Sequence, residues 1–182
     1  MKNNHWSQEL YIKALKFAAV AHNNQIVPGT QMPYIVHLTS VCMEIMAALN
    51  DGNNYNVNLA IQVALLHDVI EDTNITFEQL KDEFGKGIAD AVLALTKDKS
   101  LTKQKQLSDS LRRIKEQTRE IWMVKLADRI TNLQSPPVHW TKQKILQYKI
   151  EAQEIHSALG NANDALSERL RQKISEYAKK YM

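Results

Sequence analysis

From Leu59 to Leu66 the chain reads LAIQVALL, apolar nearly all round at helical length. A helix with no polar face has to be enclosed by other elements, so this run must sit at the centre of whatever the chain forms. It leads straight into His67-Asp68, and Glu71-Asp72 follow about one turn later. Four ionisable groups thus fall within six residues at the end of a buried helix. Charges taken out of water need partners, and a divalent cation is one.

The rest of the chain supplies helices to enclose that centre. Leu10, Ala14, Phe17, Ala18 and Ala21 share one face of a helix expected over Ser7 to about Asn24. Val27-Pro28-Gly29-Thr30 has turn chemistry, and a second helix is expected over Tyr34 to Leu49, with Val41, Ile45 and Ala48 inward and Pro33 at its start. A loop is expected at Asn50-Asp51-Gly52-Asn53-Asn54, with Asn56 as N-cap of the central helix. Thr76 and Gln79 match a capping box that opens a helix to Phe84, Gly85 stops it, and another covers Lys86 to Leu95. Lys97 to Lys105 reads as a basic loop, and Leu107, Leu111 and Ile114 as a short helix. Glu120 to Leu133 is the next helix, ended by Ser135-Pro136-Pro137; Trp140 to Leu159 and Ala165 to Tyr181 close the series. With five Gly and four Pro in 182 residues and no internal repeat, the expectation is one all-α domain over residues 1–182.

Charge divides the chain. No Lys or Arg occurs from Phe17 to Leu80, a segment of formal charge −6, so the remainder carries +9 of a net +3. An acidic centre beside a basic second half suggests a cation site next to an anion site, as against plain solvated surface. No apolar run approaches the ~20 residues that span a bilayer, and Met1-Lys2-Asn3-Asn4-His5-Trp6 lacks a leader's apolar region. The single Cys42 leaves no internal disulfide, so a cytoplasmic, reducing compartment is expected. A nucleic-acid partner is disfavoured, since +3 is slight and aromatic and basic residues do not interleave.

His67 and Asp68 are helix neighbours, whose side chains diverge by about 100°, so both reach one ion only at a helix end or a bend. His37, one turn into the second helix, and Asp128, in VKLADR, each interrupt an apolar stretch with one ionisable group. Imidazoles and carboxylates together suit Mn, Fe, Zn or Ni. Taken singly, His37 reads equally as a core histidine, and Asp128 as a surface ion pair with Arg129. The case rests on their order and contexts together.

That pattern resembles the HD-domain metallohydrolases. Ala21-His22-Asn23-Asn24-Gln25, Pro33-Tyr34-Ile35-Val36-His37, ALLHDVIEDT from Ala64 to Thr73, Phe84-Gly85 and VKLADRITNL from Val124 to Leu133 are similar to the hydrolase domain of RelA/SpoT-type alarmone enzymes, over roughly residues 10–150. The chain is too short for a synthetase domain as well, so the resemblance is to a free-standing small alarmone hydrolase. It implies an HD helical bundle of roughly eight to ten helices and one Mn²⁺, or another divalent transition metal, held by His37, His67, Asp68 and Asp128. It implies Glu71 and Asp72 as the catalytic pair, and loss of the 3′-pyrophosphate from (p)ppGpp or (p)ppApp as the reaction. Glu71 at i+4 from His67 is expected over the same helix face, where a carboxylate can orient and deprotonate water. Lys97, Lys125, Asn132, Lys144 and Tyr148 are the substrate-binding positions implied. The chain departs from the family at Ile26-Val27, where an Arg-Lys pair usually flanks the base and phosphates; an aliphatic pair can neither stack a guanidinium nor fork onto a phosphate. Other nucleotides, NADPH among them, therefore stay open, as do removal of a single phosphate, a non-catalytic nucleotide sensor and a homo-oligomer.

Overall fold

The computed structural model describes residues 6–49 and 54–182. The expected loop at 50–54 lies outside the described residues except for Asn54, and so does the stretch Met1 to Trp6 except for Trp6. Ten α-helices and one 3-10 turn follow in order among the described residues. They are α1 (Gln8–Ala21), α2 (Ile35–Ala48), α3 (Val57–Leu66), α4 (Val69–Asp72), α5 (Phe77–Phe84), α6 (Lys86–Leu95), α7 (Lys103–Lys115), α8 (Arg119–Asn132), α9 (Lys142–Leu159) and α10 (Asp164–Tyr181), with the 3-10 turn at Gly160–Ala162.

The helices start where short polar side chains can satisfy free amide groups. Ser7, Asn56, Thr141 and Asn163 each accept from the amide three residues on. At Thr76 the capping box is complete: its hydroxyl takes the Gln79 amide, and the Gln79 side chain takes the Thr76 amide. Gly85, at φ 83°, ends α5 and opens α6, a backbone setting that side chains resist. Helix α7 begins at Lys103, earlier than the apolar spacing indicated. Its first turn is Lys103-Gln104-Lys105, all exposed, and periodicity cannot register a turn that buries nothing.

α3 is the hub. It packs against α1, α2, α6 and α8, and every residue from Ala60 to Leu66 is buried. Leu65 and Leu66 are wholly inaccessible, the setting in which shortening a leucine to alanine costs about 2–5 kcal/mol. α8 lies across α2 and α3 and is backed by α9 and α10. It is buried from Glu120 to Ile130 apart from Trp122, and that stretch includes Lys125, Asp128 and Arg129. Charged groups placed there are costly unless each finds a partner. No helix among the described residues is long and apolar enough to cross a membrane.

Candidate metal centre and nucleotide cavity

α3 ends at Leu66 with His67 as its C-cap, and the helix is interrupted at Asp68 (φ −103°, ψ −1°) before α4 begins. The interruption lets two adjacent side chains face one point: His67 Nε2 lies 3.1 Å from Asp68 Oδ2. From α2, His37 Nε2 lies 3.6 Å from Asp68 Oδ2 and 3.5 Å from Asp128 Oδ1. From α8, Asp128 Oδ1 lies 3.8 Å from His67 Nε2. One donor atom each from His37, His67 and Asp128 falls within 4.8 Å of the others. The same break corrects one expectation. Glu71 does not continue the helix of His67, because α3 stops at Leu66 and α4 is a separate turn; the i+4 relation along one helix does not hold.

These residues fit a divalent cation. The Ala64 carbonyl lies 2.8 Å from His67 Nδ1, which assigns a proton to that nitrogen, so the neutral ring presents its lone pair at Nε2. Nε2 is buried and has no hydrogen-bond partner among the described residues. Burial works against the His67 imidazolium, but the Asp68 and Asp128 carboxylates outweigh it and push its pKa up to about 10. Burial likewise opposes the Asp68 and Asp128 carboxylates. The imidazoles, together with Lys125 beside Asp128, still hold both well below the usual carboxylate range. Two carboxylates kept ionised around two imidazoles call for positive charge, which a proton on His67 supplies without an ion and a divalent cation would supply in its place; two imidazoles with two carboxylates are a donor set for a transition metal.

An outer ring of hydrogen bonds holds the donors. The Tyr34 hydroxyl donates to Asp68 Oδ2 at 2.6 Å and approaches Asp72 Oδ2 at 3.4 Å. Its ring stacks on His22, whose Nδ1 is 2.7 Å from Gln25 Oε1, and the Gln25 amide donates to the Asp72 carbonyl. Lys125 Nζ donates to Asp128 Oδ2 at 3.0 Å and Asn132 Nδ2 to Asp128 Oδ1 at 2.5 Å. Such outer partners orient ligands, and losing one typically costs 10–100-fold in metal affinity. Tyr34→Phe is therefore expected to weaken divalent-metal binding by about 10–100-fold in a direct titration. Unchanged affinity would remove Tyr34 from the metal site.

The cluster opens into a cavity of about 490 Å³. His67, Asp68 and Asp128 lie on its wall with Glu71, Asp72, Lys97, Lys125, Asn132, Lys144 and Tyr148, so every expected site residue but His37 lines it. His37 lines a second cavity, of about 700 Å³, which shares Asn132, Trp140 and Tyr148 with the first. Glu71 is gripped by Lys97, whose Nζ lies 2.7 Å from Oε1 and whose backbone amide donates to Oε2 at 2.9 Å. Lys99 Nζ donates to the Glu71 carbonyl. Burial, reinforced by the Asp68 and Glu71 carboxylates, raises the Asp72 pKa. Lys125 is buried against Asp128 rather than lying free on the surface of α8.

Three cations on the wall escaped sequence reasoning as individual positions: Lys99, Lys103 and Arg129. The first two fall in or beside the basic stretch after Lys97. Arg129 does not pair with Asp128 as the sequence alone allowed. Its guanidinium carbon sits 4.3 Å from the Tyr148 ring centre, and its Nη2 is 3.7 Å from Glu151. Its Nε and Nη1 are buried without a hydrogen-bond partner among the described residues. A polar interruption at an otherwise enclosed position of α8 was the only available signal.

A helical bundle with an H…HD…D cluster at the end of its central helix defines a class, and the HD-domain family profile matches residues 14–166. The chain belongs to the HD-domain family. Within it, the chain is similar to a branch of guanosine-3′,5′-bis(diphosphate) 3′-pyrophosphohydrolases. It is 33% identical to the MESH1 enzyme of that name from Danio rerio, over 93% of this chain and 95% of that one. It is 29% identical to the Aquifex aeolicus enzyme over 93% of this chain but 23% of that longer protein. A solved structure of a metazoan orthologue of SpoT, which hydrolyses ppGpp, superposes with a TM-score of 0.82 at 26% identity, covering 94% of this chain and 97% of that one.

Proposed function

We propose that this chain is a Mn²⁺-dependent hydrolase that removes the 3′-pyrophosphate from a ribonucleotide alarmone of the (p)ppGpp or (p)ppApp type. The observation that carries the proposal is the juxtaposition of the His37–His67–Asp68–Asp128 cluster with a cavity walled by lysines and Arg129. Similarity to ppGpp hydrolases over nearly the whole chain supports the substrate class.

His37, His67, Asp68 and Asp128 would hold the ion. When bound, it supplies Lewis acidity, lowering the pKa of water and drawing charge from the attacked phosphorus. The residues of the chain do the remainder. Lys97, Lys99, Lys103, Lys125, Arg129 and Lys144 line the cavity that receives the pyrophosphate and offset its charge. Asp72, with its raised pKa, and Glu71 manage the proton. A water oxygen forms the new bond to phosphorus, the bond to the ribose 3′-oxygen breaks, that oxygen takes a proton, and pyrophosphate departs. Tyr148, buried with its hydroxyl pKa pushed up to about 12, keeps its proton throughout and offers a ring face. Asn132 and Lys125 hold Asp128 in place from the cavity wall.

Product analysis tests this reading. Mn²⁺-loaded protein is incubated with ppGpp, ppApp, NADPH and simple nucleotides. Pyrophosphate with GDP or ADP is the expected outcome. Orthophosphate alone would point to a general nucleotide phosphohydrolase, and tight binding without turnover to a sensor.

A further inference from the structure

The second cavity has different walls from the first. Val27, Met32, Val36, Met43 and Ile130 make much of it apolar, and Trp140 and Tyr148 join it to the cation-rich cavity. The loop beneath it, Ile26 to Gln31, has no Lys or Arg. It is a tight hairpin: Ile26 bridges Pro33, and the Val27 amide donates to the Met32 carbonyl at 2.9 Å. Gly29 sits at φ 79° against Pro137, which fixes the lip of the cavity. A purine can lie on such walls, but nothing on this loop can neutralise a phosphate.

Positive charge reaches this cavity from another element. Arg169 and Lys173, one turn apart on α10, both line it. They are not equivalent. Arg169 is committed to the buried carboxylate of Glu44 through two bonds of 2.5 and 2.6 Å, a pairing that ties α10 to α2 and cancels its charge. Lys173 is 29% exposed, and its approach to a carboxylate is the 4.0 Å distance to Glu176, whose own side chain is 70% exposed. An ammonium largely withdrawn from water, whose ion pair with Glu176 spans 4.0 Å to an exposed side chain, is stabilised by an anion brought closer to it.

We propose that Lys173 is a specificity-determining residue that binds the 5′-phosphate of the nucleotide. The second cavity then takes the nucleoside, with its 3′ end at the metal cluster and its 5′ end at α10. This rests on the hydrolase reading only for which end of the nucleotide faces the cluster. The 3′ and 5′ oxygens of a ribose point apart, so a nucleotide whose 3′-phosphates occupy the cation-rich cavity sends its 5′ substituent away from it. His37, the cluster residue on the wall of the second cavity, marks the junction. The base is then held by apolar and aromatic contact, and Lys173 sets the preference for a 5′-phosphate.

Equilibrium binding by calorimetry tests this on the full chain without added metal, so that no turnover intervenes. The probes are adenosine 3′-phosphate and adenosine 3′,5′-bisphosphate. Wild type is expected to prefer the bisphosphate by about tenfold, the scale of one partly exposed charge-assisted contact. Lys173→Ala should erase that preference while binding the monophosphate as before, and Lys173→Arg should keep it. Lys179→Ala, which removes an exposed charge on the same helix, should also keep it. A wild type without preference, or a preference that survives Lys173→Ala or falls equally in Lys179→Ala, overturns the proposal. Pyrophosphate release is assayed separately: its absence beside an intact, Lys173-dependent preference counts against the hydrolase reading and not against this one.

Discussion

Replacing Asp68 by Ala is expected to abolish turnover and metal retention together. Its Oδ2 stands 3.1 Å from His67 Nε2 and 3.6 Å from His37 Nε2, so it touches both imidazoles of the cluster. Lewis-acid stabilisation of a phosphoryl transition state is worth several kcal/mol, so the loss in kcat should be about 10³-fold or more. Stability gives a second readout. A cation that binds only the folded state at ~100 times its Kd contributes about 2.7 kcal/mol. For a chain of this length that is a rise in Tm of roughly 5–10 °C. Wild type should show that rise on adding Mn²⁺, and Asp68→Ala should not. Turnover and Mn²⁺-induced stabilisation both surviving in Asp68→Ala would sink the metal site.

Glu71→Gln should separate chemistry from metal binding. The side chain keeps its shape but loses the charge and the basicity. Its carboxylate meets Lys97 rather than any residue of the metal cluster, so the Mn²⁺-induced rise in Tm should persist. A general acid–base group contributes about 10²–10⁴-fold, and kcat should fall by that factor with metal content unchanged. Retention of near-wild-type kcat would move the proton-handling role to Asp72 alone. A lost metal response would instead make Glu71 part of the cation site.

Two features of the chain decide how specific this chemistry is. The His–Asp cluster draws on α2, α8 and the junction of α3 with α4. The second cavity is walled by the loop at Val27 to Met32, the α8–α9 connection and α10, together with residues of α2 and α8. Lys173, far along the chain from that loop, restores a cation to the same cavity.

Much was legible in the sequence. The run LAIQVALL had to be enclosed, and it is the hub. Asn56 and Thr76 marked the starts of two helices to the residue, because capping is a local interaction. The order of His37, His67-Asp68 and Asp128 named the cluster before any distance was known. Where local signals were silent, the reading failed. The exposed first turn of α7 buries nothing, so it left no period in the sequence. The helix end at His67 was legible, but Glu71 on a separate turn was not, since Val69 to Asp72 reads equally as a continuing helix.

Tertiary structure alone decided the rest. Adjacent helical residues point apart, and only the interruption at Asp68 turns His67 and Asp68 to one point. Whether Lys125 is a surface lysine or a buried partner of Asp128, and whether Arg129 joins Asp128 or Tyr148, depends on what packs against α8. Sequence fixes the period of a helix and the chemistry of each side chain. It does not fix which residues, 90 or more positions apart, share a low-dielectric space, and that sharing turns His37 and Asp128 into one site.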